Sequence, residues 1–418
     1  MTTSTALKSS TGAACSTPAS TRCATERRMG LFKKDGGKPK YGKLTKTQRA
    51  ITFYAEDGGS WPHFEPIVSE LLGRHGRELA YLTSSDSDPL LSDTPEGMHV
   101  FNIGEGAKRG FTFQTMEAGV VVATVPQLGT KLLPKSRLTD SLGTQHLYVH
   151  HSIASTHMIY EPDGFDFYEA ILCVGPYMAL ETRRREELHD LPAKELIEHG
   201  YGRLDTIIER RAELTDEQRA VNDPPLIVVA PSWGPNCIFE SCGEAVVEAL
   251  LATGASVIAR PHPMTRKHKP PAIDQLAARF AGDPNFSLEE NVASQDSLQR
   301  ADLMVSDWSG AALEFAFGTE RPVLFIDVPR KVNNPGYEEL GIEPFEATVR
   351  EQIGKVVAPG DSEQIGAAVA ELVAERGSWT ESIRAAREAN IYNVGRSGAV
   401  AADVIAEKAD RYLQRGAS

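Results

Sequence analysis

The chain has 418 residues, of which 41% are hydrophobic and 24% are charged, and its net charge is −13. That length exceeds one ordinary hydrophobic core and predicts two domains of a globular protein. The acidic balance argues against nucleic acid as a partner. No apolar run is long enough to cross a bilayer or to form the core of a signal peptide. The five cysteines are scattered without metal-ligand spacing, which is typical of free thiols in the cytoplasm.

The first segment, residues 1–47, is rich in Ser, Thr and Ala and then in Lys and Gly, with little apolar periodicity. This composition predicts a disordered tail. The first 50 residues carry 11 Lys and Arg against 2 Asp and Glu, so the tail is basic in an otherwise acidic chain. It is a candidate for peripheral contact with anionic lipid at the inner face of the cell membrane, and a solvated extension explains the same composition.

Residues 48–205 are predicted to form a first α/β domain. Its buried strands begin at Ile51, and a later strand leads directly into His150. The first strand is followed by a loop that contains Gly58 and Gly59. Such a loop lies at the carboxyl end of a parallel sheet, where α/β proteins bind ligands, and glycines permit close approach of the backbone to an acceptor substrate.

A polar helix over 206–224 is predicted to link this domain to a second α/β domain over 225–392, and a helix over 393–418 completes the chain. The most informative stretch is 301–337. An apolar run at its start is followed by a polar turn, a short apolar helix and a second apolar run. The order strand, turn, helix, strand predicts a βαβ unit of a parallel sheet.

The polar turn of this unit reads SDWSG over 306–310. Ser306, Asp307 or Ser309 can cap the following helix, so that its first N–H groups remain available to a phosphate. Glu314 lies several residues into the helix, at a distance suited to a ribose hydroxyl. The turn therefore predicts a nucleotide diphosphate site, although an ordinary capped helix in an α/β core fits the same spacing.

Two further segments place histidines directly after strands. His150 and His151 end one strand, and a histidine there can take the proton of an acceptor hydroxyl near neutral pH. A structural histidine pair is the alternative. Arg260 and His262 follow another strand in the sequence RPHP, whose prolines stiffen the loop. Both side chains can donate hydrogen bonds to a diphosphate as charge develops on the leaving group.

Together these segments resemble the CDP-glycerol glycerophosphotransferase family, which builds teichoic-acid-like poly(glycerol phosphate). The resemblance rests on SDWS at 306–309, EFA at 314–316 and RPVLF at 321–325, and it extends from about Phe53 to the C-terminus. It implies the GT-B arrangement of two facing Rossmann-like domains, with the acceptor in the first and the nucleotide in the second. The implied reaction moves glycerol phosphate from CDP-glycerol to a hydroxyl of a polymer or lipid-linked acceptor and releases CMP. No cofactor and no metal are implied.

The resemblance also assigns roles to residues. His151 corresponds to the histidine of a Trp-His-Gly segment, which is the general base of the family, but here the segment reads HHS and leaves open which histidine is the base. His262 belongs to a His-Pro pair that acts on the leaving group. The segment APSW over 230–233 corresponds to one that contacts the nucleotide, and a core tryptophan with a capping serine fits it equally well. The expected catalytic residues are therefore His151 and His262, and the expected binding residues are His150, Gly58, Gly59, Arg260, Ser232, Trp233, Ser306, Asp307, Ser309, Gly310 and Glu314.

Two other functions fit the same residues. A GT-B glycosyltransferase or polyol-phosphate transferase that uses another nucleotide-activated donor needs the same diphosphate site. A non-catalytic nucleotide-binding protein of the GT-B fold is compatible with the altered HHS segment.

Overall fold

The computed structural model describes residues 40–131, 133–289 and 295–415, and all structural statements concern these residues. Two sheets organise them, and every strand pair is parallel. The strands of the first sheet are β1 (Ile51–Ala55), β2 (Leu79–Thr83), β3 (Met98–Asn102), β4 (Val120–Ala123), β5 (Gln145–Val149), β6 (Ala170–Cys173) and β7 (Glu195–Glu198). Those of the second are β8 (Leu226–Val229), β9 (Ser256–Ala259), β10 (Phe286–Leu288), β11 (Leu303–Ser306), β12 (Val323–Ile326) and β13 (Gly354–Val357).

Helices cover the sheets and connect their strands. In the first half they are α1 (Trp61–Leu72), α2 (Gly106–Thr115), α3 (Thr139–Leu142), α4 (Pro176–His189), α5 (Gly202–Glu213) and α6 (Asp216–Arg219). In the second half they are α7 (Ile238–Ser241), α8 (Gly243–Ala252), α9 (Pro263–His268), α10 (Pro270–Phe280), α11 (Asp296–Arg300), α12 (Gly310–Thr319), α13 (Phe345–Ile353), α14 (Ser362–Ala374), α15 (Arg376–Asn390) and α16 (Ser397–Gln414). The predicted α/β class with two parallel sheets is confirmed.

The strand order of each sheet creates a crevice. The first sheet runs β3-β2-β1-β4-β5-β6-β7 and the second runs β10-β9-β8-β11-β12-β13. The direction of winding reverses between β1 and β4 and again between β8 and β11. At such switch points the loops after two neighbouring strands diverge and leave a ligand-sized crevice at the carboxyl edge of the sheet.

Three strands were not predicted, namely β7, β10 and β13, and all three lie at sheet edges. An edge strand is covered on one side only, so its sequence lacks the continuous apolar run that marks a central strand. In β7, for example, only Ile197 is buried, and the strand reads ELIE. The central strands β1, β4, β6 and β8 are nearly or fully buried, which explains why the sequence identified them.

The folded body begins earlier than the sequence predicts. Residues 40–47 were assigned to the tail, but Leu44 is buried and the Tyr41 hydroxyl donates a hydrogen bond to the carbonyl oxygen of Glu117 at 2.8 Å. A single tyrosine and leucine in a polar segment give no periodic signal, which is why this docking was missed. Residues 1–39 of the predicted tail lie outside the described residues.

The last helix returns to the first sheet. Along α16, Ala401, Ala402, Ile405 and Tyr412 are buried in one hydrophobic cluster with β1 and α1. This helix, from the predicted segment 393–418, is therefore part of the packing of the first half of the chain.

The two halves are in direct contact through α5 and α12. A Cβ atom on Gly318 of α12 would lie 2.3 Å from the Ile207 side chain of α5, so the helices approach as closely as a glycine allows. Tyr177 of α4 and Phe345 of α13 stack with their ring centroids 4.1 Å apart. These contacts hold the carboxyl edges of the two sheets near each other.

Candidate active site

The first crevice lies at the switch point between β1 and β4. It is a cleft of about 320 Å³. The loops that follow β1, β4 and β5 form its walls, as expected for ligand sites in parallel sheets. Its lining residues are Glu56, Asp57, Gly59, Ser60, His63, Thr124, Val125, Pro126, His151 and Tyr160.

His151 follows β5 and presents one ring nitrogen to this cleft. Its Nδ1 lies 2.9 Å from the carbonyl oxygen of Thr124, and its Nε2 lies 3.1 Å from the hydroxyl of Tyr160. A carbonyl oxygen only accepts hydrogen bonds, so Nδ1 carries the proton. Nε2 then has a free lone pair, which accepts the Tyr160 hydroxyl. This tautomer is the one that a general base requires.

The protonation state of His151 fits the same role. Although the residue is exposed at the cleft surface, the protein around the ring excludes water and lowers its pKa below the ordinary value of 6.5. The hydrogen bond to Thr124 opposes this shift without reversing it. The imidazole is therefore neutral at pH 7 and able to accept a proton.

His150 lies elsewhere, although it is adjacent in sequence. It is buried in an aromatic cluster, with its ring centroid 4.9 Å from that of Tyr148. Within the described part of the chain neither of its ring nitrogens has a hydrogen-bond partner. Burial lowers its pKa to about 3, and His151 and His199 add to the shift. His150 does not line the cleft, so the predicted binding role has no support from its position.

The two glycines of the first loop also differ. Gly59 lines the cleft, and its N–H donates to Asp57 at 2.8 Å. Gly58 instead faces Pro89, whose Cδ would lie 2.9 Å from an added Cβ. Only Gly59 is placed to approach a ligand in the cleft.

His63 is a cleft residue that the sequence analysis missed. It lies in the first turn of α1, its ring centroid is 6.3 Å from that of His151, and burial holds its pKa well below 6.5. Its Nδ1 has no hydrogen-bond partner among the described residues. The feature of the sequence that could have identified His63 is its position directly after the first βα loop.

The second crevice lies at the switch point between β8 and β11, where the SDWSG turn connects β11 to α12. The Ser309 hydroxyl accepts the N–H of Ala311 at 3.3 Å, so Ser309 is the cap. Ser306 and Asp307 are fully buried and bond within the protein. Asp307 accepts the N–H groups of Ser232 and Ile238 at 2.7 and 3.0 Å and so fixes the loop after β8. Ser306 and Asp307 therefore shape the crevice, whereas Ser309 and Gly310 are half-buried at its surface.

A pocket of about 200 Å³ adjoins this turn. Ser232, Trp233 and Trp308 line it together with Lys331, which the sequence analysis did not select. The Lys331 ammonium lies 4.3 Å from the centre of the Trp233 ring, a cation–π contact. Lys331 forms no ion pair within the described residues, and burial lowers its pKa to about 8. Lys331 follows β12 in an irregular loop, so neither periodicity nor motif marks it.

His262 borders the same region. Its ring centroid lies 6.2 Å from that of Trp233, and its Nδ1 accepts the N–H of Met264 at 3.1 Å. Burial and the nearby Lys331 lower its pKa to about 4. His262 is therefore neutral at pH 7, with its proton on Nε2, so it can donate a hydrogen bond but carries no positive charge.

Arg260 and Glu314 are engaged within the protein. The Arg260 guanidinium donates to Glu289 at 2.7 Å. The Glu314 carboxylate accepts from the Tyr201 hydroxyl at 2.8 Å and from Arg203 Nε at 2.9 Å, so it joins α12 to the first half of the chain. In this structure neither side chain is directed toward an open ligand pocket.

The loop after β5 reaches the start of α12 at Ser152 and Gly310. A Cβ on Gly310 would lie 3.1 Å from the Ser152 hydroxyl oxygen. Ser152 directly follows His151, and Gly310 opens α12. The loop that carries His151 therefore reaches the N-terminus of α12, and a helix N-terminus favours anions.

Comparison with known proteins identifies the fold. No family model matches the sequence, and no curated protein matches it. Among solved structures, the wall teichoic acid polymerase TagF has a TM-score of 0.61 at 12% identity, over 89% of this chain and 93% of that chain. A putative UDP-N-acetylglucosamine 2-epimerase from Listeria monocytogenes has a TM-score of 0.59 at 11% identity, over 88% of this chain and 97% of that chain. The chain has the GT-B fold.

The GT-B fold accounts for the two sheets, the facing crevices and the return of α16 to the first half of the chain. The predicted resemblance to a CDP-glycerol glycerophosphotransferase agrees with the likeness to TagF in three dimensions. In the described ranges no group of three or more His, Cys, Asp and Glu side chains is arranged as metal ligands. Nor is any helix there both long and apolar enough to span a membrane.

Proposed function

We propose that this GT-B protein transfers glycerol phosphate from CDP-glycerol to a hydroxyl of a polymer or lipid-linked acceptor and releases CMP. The observation that carries the proposal is the hydrogen-bonding of His151, whose unprotonated Nε2 faces the first cleft and accepts the Tyr160 hydroxyl, on a loop that reaches the N-terminus of α12. A hydroxyl in that cleft and a diphosphate at that helix end are the two reactants of such a transfer. One of the similar TagF structures is described as a soak with CDPG.

The donor is proposed to bind in the second crevice. The N-terminus of α12 meets the diphosphate with free N–H groups and the positive end of the helix dipole. Lys331 supplies a cation without an ion-pair partner in the described residues, and His262 donates from Nε2. Trp233 offers an aromatic face to the cytosine. These groups share the negative charge that develops on departing CMP.

The acceptor is proposed to bind in the first crevice. Its hydroxyl transfers its proton to Nε2 of His151 while its oxygen attacks the β-phosphorus. A new P–O bond forms, the P–O bond to CMP breaks, and the bonding electrons leave with CMP. The Thr124 carbonyl stabilises the imidazolium through Nδ1. Because Tyr160 donates to Nε2 in this structure, the acceptor hydroxyl has to displace it.

The test is CMP release from CDP-glycerol by purified protein, with and without a poly(glycerol phosphate) primer. Primer-dependent release that is lost in His151→Asn supports the proposal. If CMP release is unchanged in His151→Asn, His151 is not the general base.

A second candidate function differs only in the donor. The likeness to a putative UDP-N-acetylglucosamine 2-epimerase has nearly the same TM-score as the likeness to TagF. A diphosphate site of this construction is compatible with a uridine or a cytidine nucleotide. Thermal shift with CDP-glycerol, CDP and UDP-N-acetylglucosamine separates the two, because a ligand of the folded state raises stability by mass action.

The acceptor and the cellular site follow from the same proposal. A polymer or lipid-linked acceptor places the reaction at the inner face of the cell membrane, with the protein as a cytoplasmic, peripheral enzyme. The basic tail remains a candidate for that contact, but it lies outside the described residues.

A further inference from the structure

One face of the Trp233 ring is covered by the ammonium of Lys331. The Nζ atom lies 4.3 Å from the centre of the ring, which is within the range of a cation–π contact. The imidazoles of His262 and His268 also lie beside the ring, but their centroids are 6.2 and 6.3 Å away, so they are offset from it. Lys331 is therefore the group that a base stacking on this face has to displace.

The ammonium has no hydrogen-bond partner in the described part of the chain. It carries three donors, yet no carbonyl, hydroxyl or carboxylate there accepts from it. Asp307 acts on it through space, but that carboxylate is buried and already accepts two backbone N–H groups. Burial raises the pKa of the nearby Cys237 thiol to about 11, so that group is uncharged at pH 7. The adjacent cation, Arg330, is paired with Glu343. Lys331 thus keeps donors that a ligand anion can use.

The Lys331 side chain can leave the ring without a change of the backbone. The loop that carries it begins at Val328, which is buried. At the other end the N–H groups of Asn333 and Asn334 both donate to the carbonyl oxygen of Met158 at 3.1 Å. Because a lysine has a flexible four-carbon stem, rotation about its side-chain bonds moves the ammonium while the loop stays anchored.

The ring, the ammonium and the SDWSG turn share one pocket, since Trp233, Lys331 and Trp308 all line it. Stacking of a base on an aromatic ring contributes about 5- to 150-fold in affinity, and loss of the cation–π contact costs about 2- to 30-fold. For a nucleoside the two effects largely offset each other. A diphosphate adds charge-assisted hydrogen bonds to the displaced ammonium, so phosphorylation of the ligand makes the exchange favourable.

We propose that Lys331 determines the specificity of the donor site by exchange. In the free protein it rests on Trp233, and it moves to the diphosphate when a nucleotide base takes its place on the ring. The site therefore selects nucleoside diphosphates over nucleosides, because the base gains its stacking surface only when an anion draws the lysine away. The inference rests on the proposed function, since it takes the second crevice as the donor site.

The experiment compares ligands with and without the diphosphate on the full-length protein at neutral pH. CDP and UDP are titrated calorimetrically, and cytidine and uridine, which bind more weakly, are titrated by NMR. The variants are Lys331→Ala, which uncovers the ring, and Lys331→Arg, which keeps the cation. Lys267→Ala is the matched control, at an exposed lysine of α9. Thermal melting checks that each variant folds.

The two classes of ligand should respond to Lys331→Ala in opposite directions. CDP affinity should fall by about 10–100-fold, because charge-assisted hydrogen bonds are lost. Cytidine affinity should rise by about 2–10-fold, because the base no longer has to displace a cation. Lys331→Arg and Lys267→Ala should both resemble wild type. In wild type, CDP should change the fluorescence of Trp233 as the ammonium leaves the ring, and Trp233→Leu identifies that part of the signal.

The outcomes separate the exchange from the proposed function. If CDP binds wild type but cytidine affinity is unchanged, lowered or undetectable in Lys331→Ala, the exchange is wrong and the donor site stands. If UDP and uridine show the opposite responses while CDP does not bind, the exchange stands and the cytidine donor is wrong. If wild type binds neither diphosphate, both proposals fail.

Discussion

His150 and His151 are adjacent in the chain, yet their rings lie in different surroundings. The sequence shows two histidines after a strand and offers no way to choose between them. The choice rests on the Thr124 carbonyl and the Tyr160 hydroxyl, which reach His151 from other loops. His63 and Lys331 escaped notice for the same reason, since their neighbours in the crevices are distant in sequence.

The first prediction concerns the base. His151→Asn should lower turnover by roughly 10²–10⁴-fold, the usual loss for a general base, and leave CDP affinity unchanged. Tyr160→Phe should retain turnover, because it removes a competitor for Nε2 and not the base itself. Steady-state kinetics and CDP titration measure both effects. An inactive Tyr160→Phe with wild-type affinity would show instead that the hydroxyl relays the proton.

The second prediction concerns the phosphate cation. Lys331→Met should weaken CDP binding by about 10–100-fold, because a charge-assisted hydrogen bond to an anion is lost. Lys267→Met, at an exposed lysine of α9, is the control and should have no effect. Calorimetric titration with CDP measures both. Equal CDP affinity in the two variants would mean that the diphosphate does not contact Lys331.

The third prediction is a pH profile. The lowered pKa of His151 keeps the base neutral below pH 6.5, so kcat/KM should fall on the acid side only below that value. The pKa of Lys331 is about 8, and CDP binding to the free enzyme should weaken as the pH rises through that value. Lys331→Met should abolish the alkaline dependence of CDP binding. If the alkaline dependence of CDP binding persists in Lys331→Met, a group other than Lys331 is responsible for it.

At the scale of elements, the sequence correctly predicted that the SDWSG turn caps a helix. The cap and the helix are adjacent in the chain, so their pattern can be recognised without knowledge of the fold. The sequence placed Ser306 and Asp307 on the ligand, whereas both bond inside the protein. The edge strands β7, β10 and β13 were missed because exposure on one side removes the apolar run.

The fourth prediction tests the contact between α5 and α12. Gly318→Ala should destabilise the protein by about 1–2 kcal/mol, because the clash with Ile207 outweighs the helix propensity gained. Gly366→Ala in α14 is the matched control, since the nearest atom to its Cβ would be 3.9 Å away. It should stabilise the helix by up to about 1 kcal/mol. Urea denaturation distinguishes the two, and a stabilised Gly318→Ala would contradict the observed closeness of the helices.

At the scale of the whole molecule, the described structure begins at Lys40, and residues 40–47 pack on the first sheet. The fifth prediction follows from this. Removal of residues 1–39 should leave the melting temperature unchanged, whereas removal of residues 1–46 should lower it, because Tyr41 and Leu44 are lost. The buried leucine alone contributes about 1.5–3 kcal/mol. Equal melting temperatures for the two truncations would mean that residues 40–46 contribute nothing to stability.

The α/β class was predictable because central strands leave apolar runs in the sequence, and the GT-B arrangement was expected from the resemblance to a known family. The contact between Ser152 and Gly310 could not be predicted, since it depends on how α12 packs against α5. The central claim is that a base in one crevice activates an acceptor hydroxyl, which attacks a donor held in the other crevice. The most direct test measures CMP release from saturating CDP-glycerol with a poly(glycerol phosphate) primer, alongside donor affinity, in wild type and His151→Asn. The account predicts equal donor affinity and at least about 100-fold slower release in the variant; equal release, or no binding of CDP-glycerol by wild type, would contradict it.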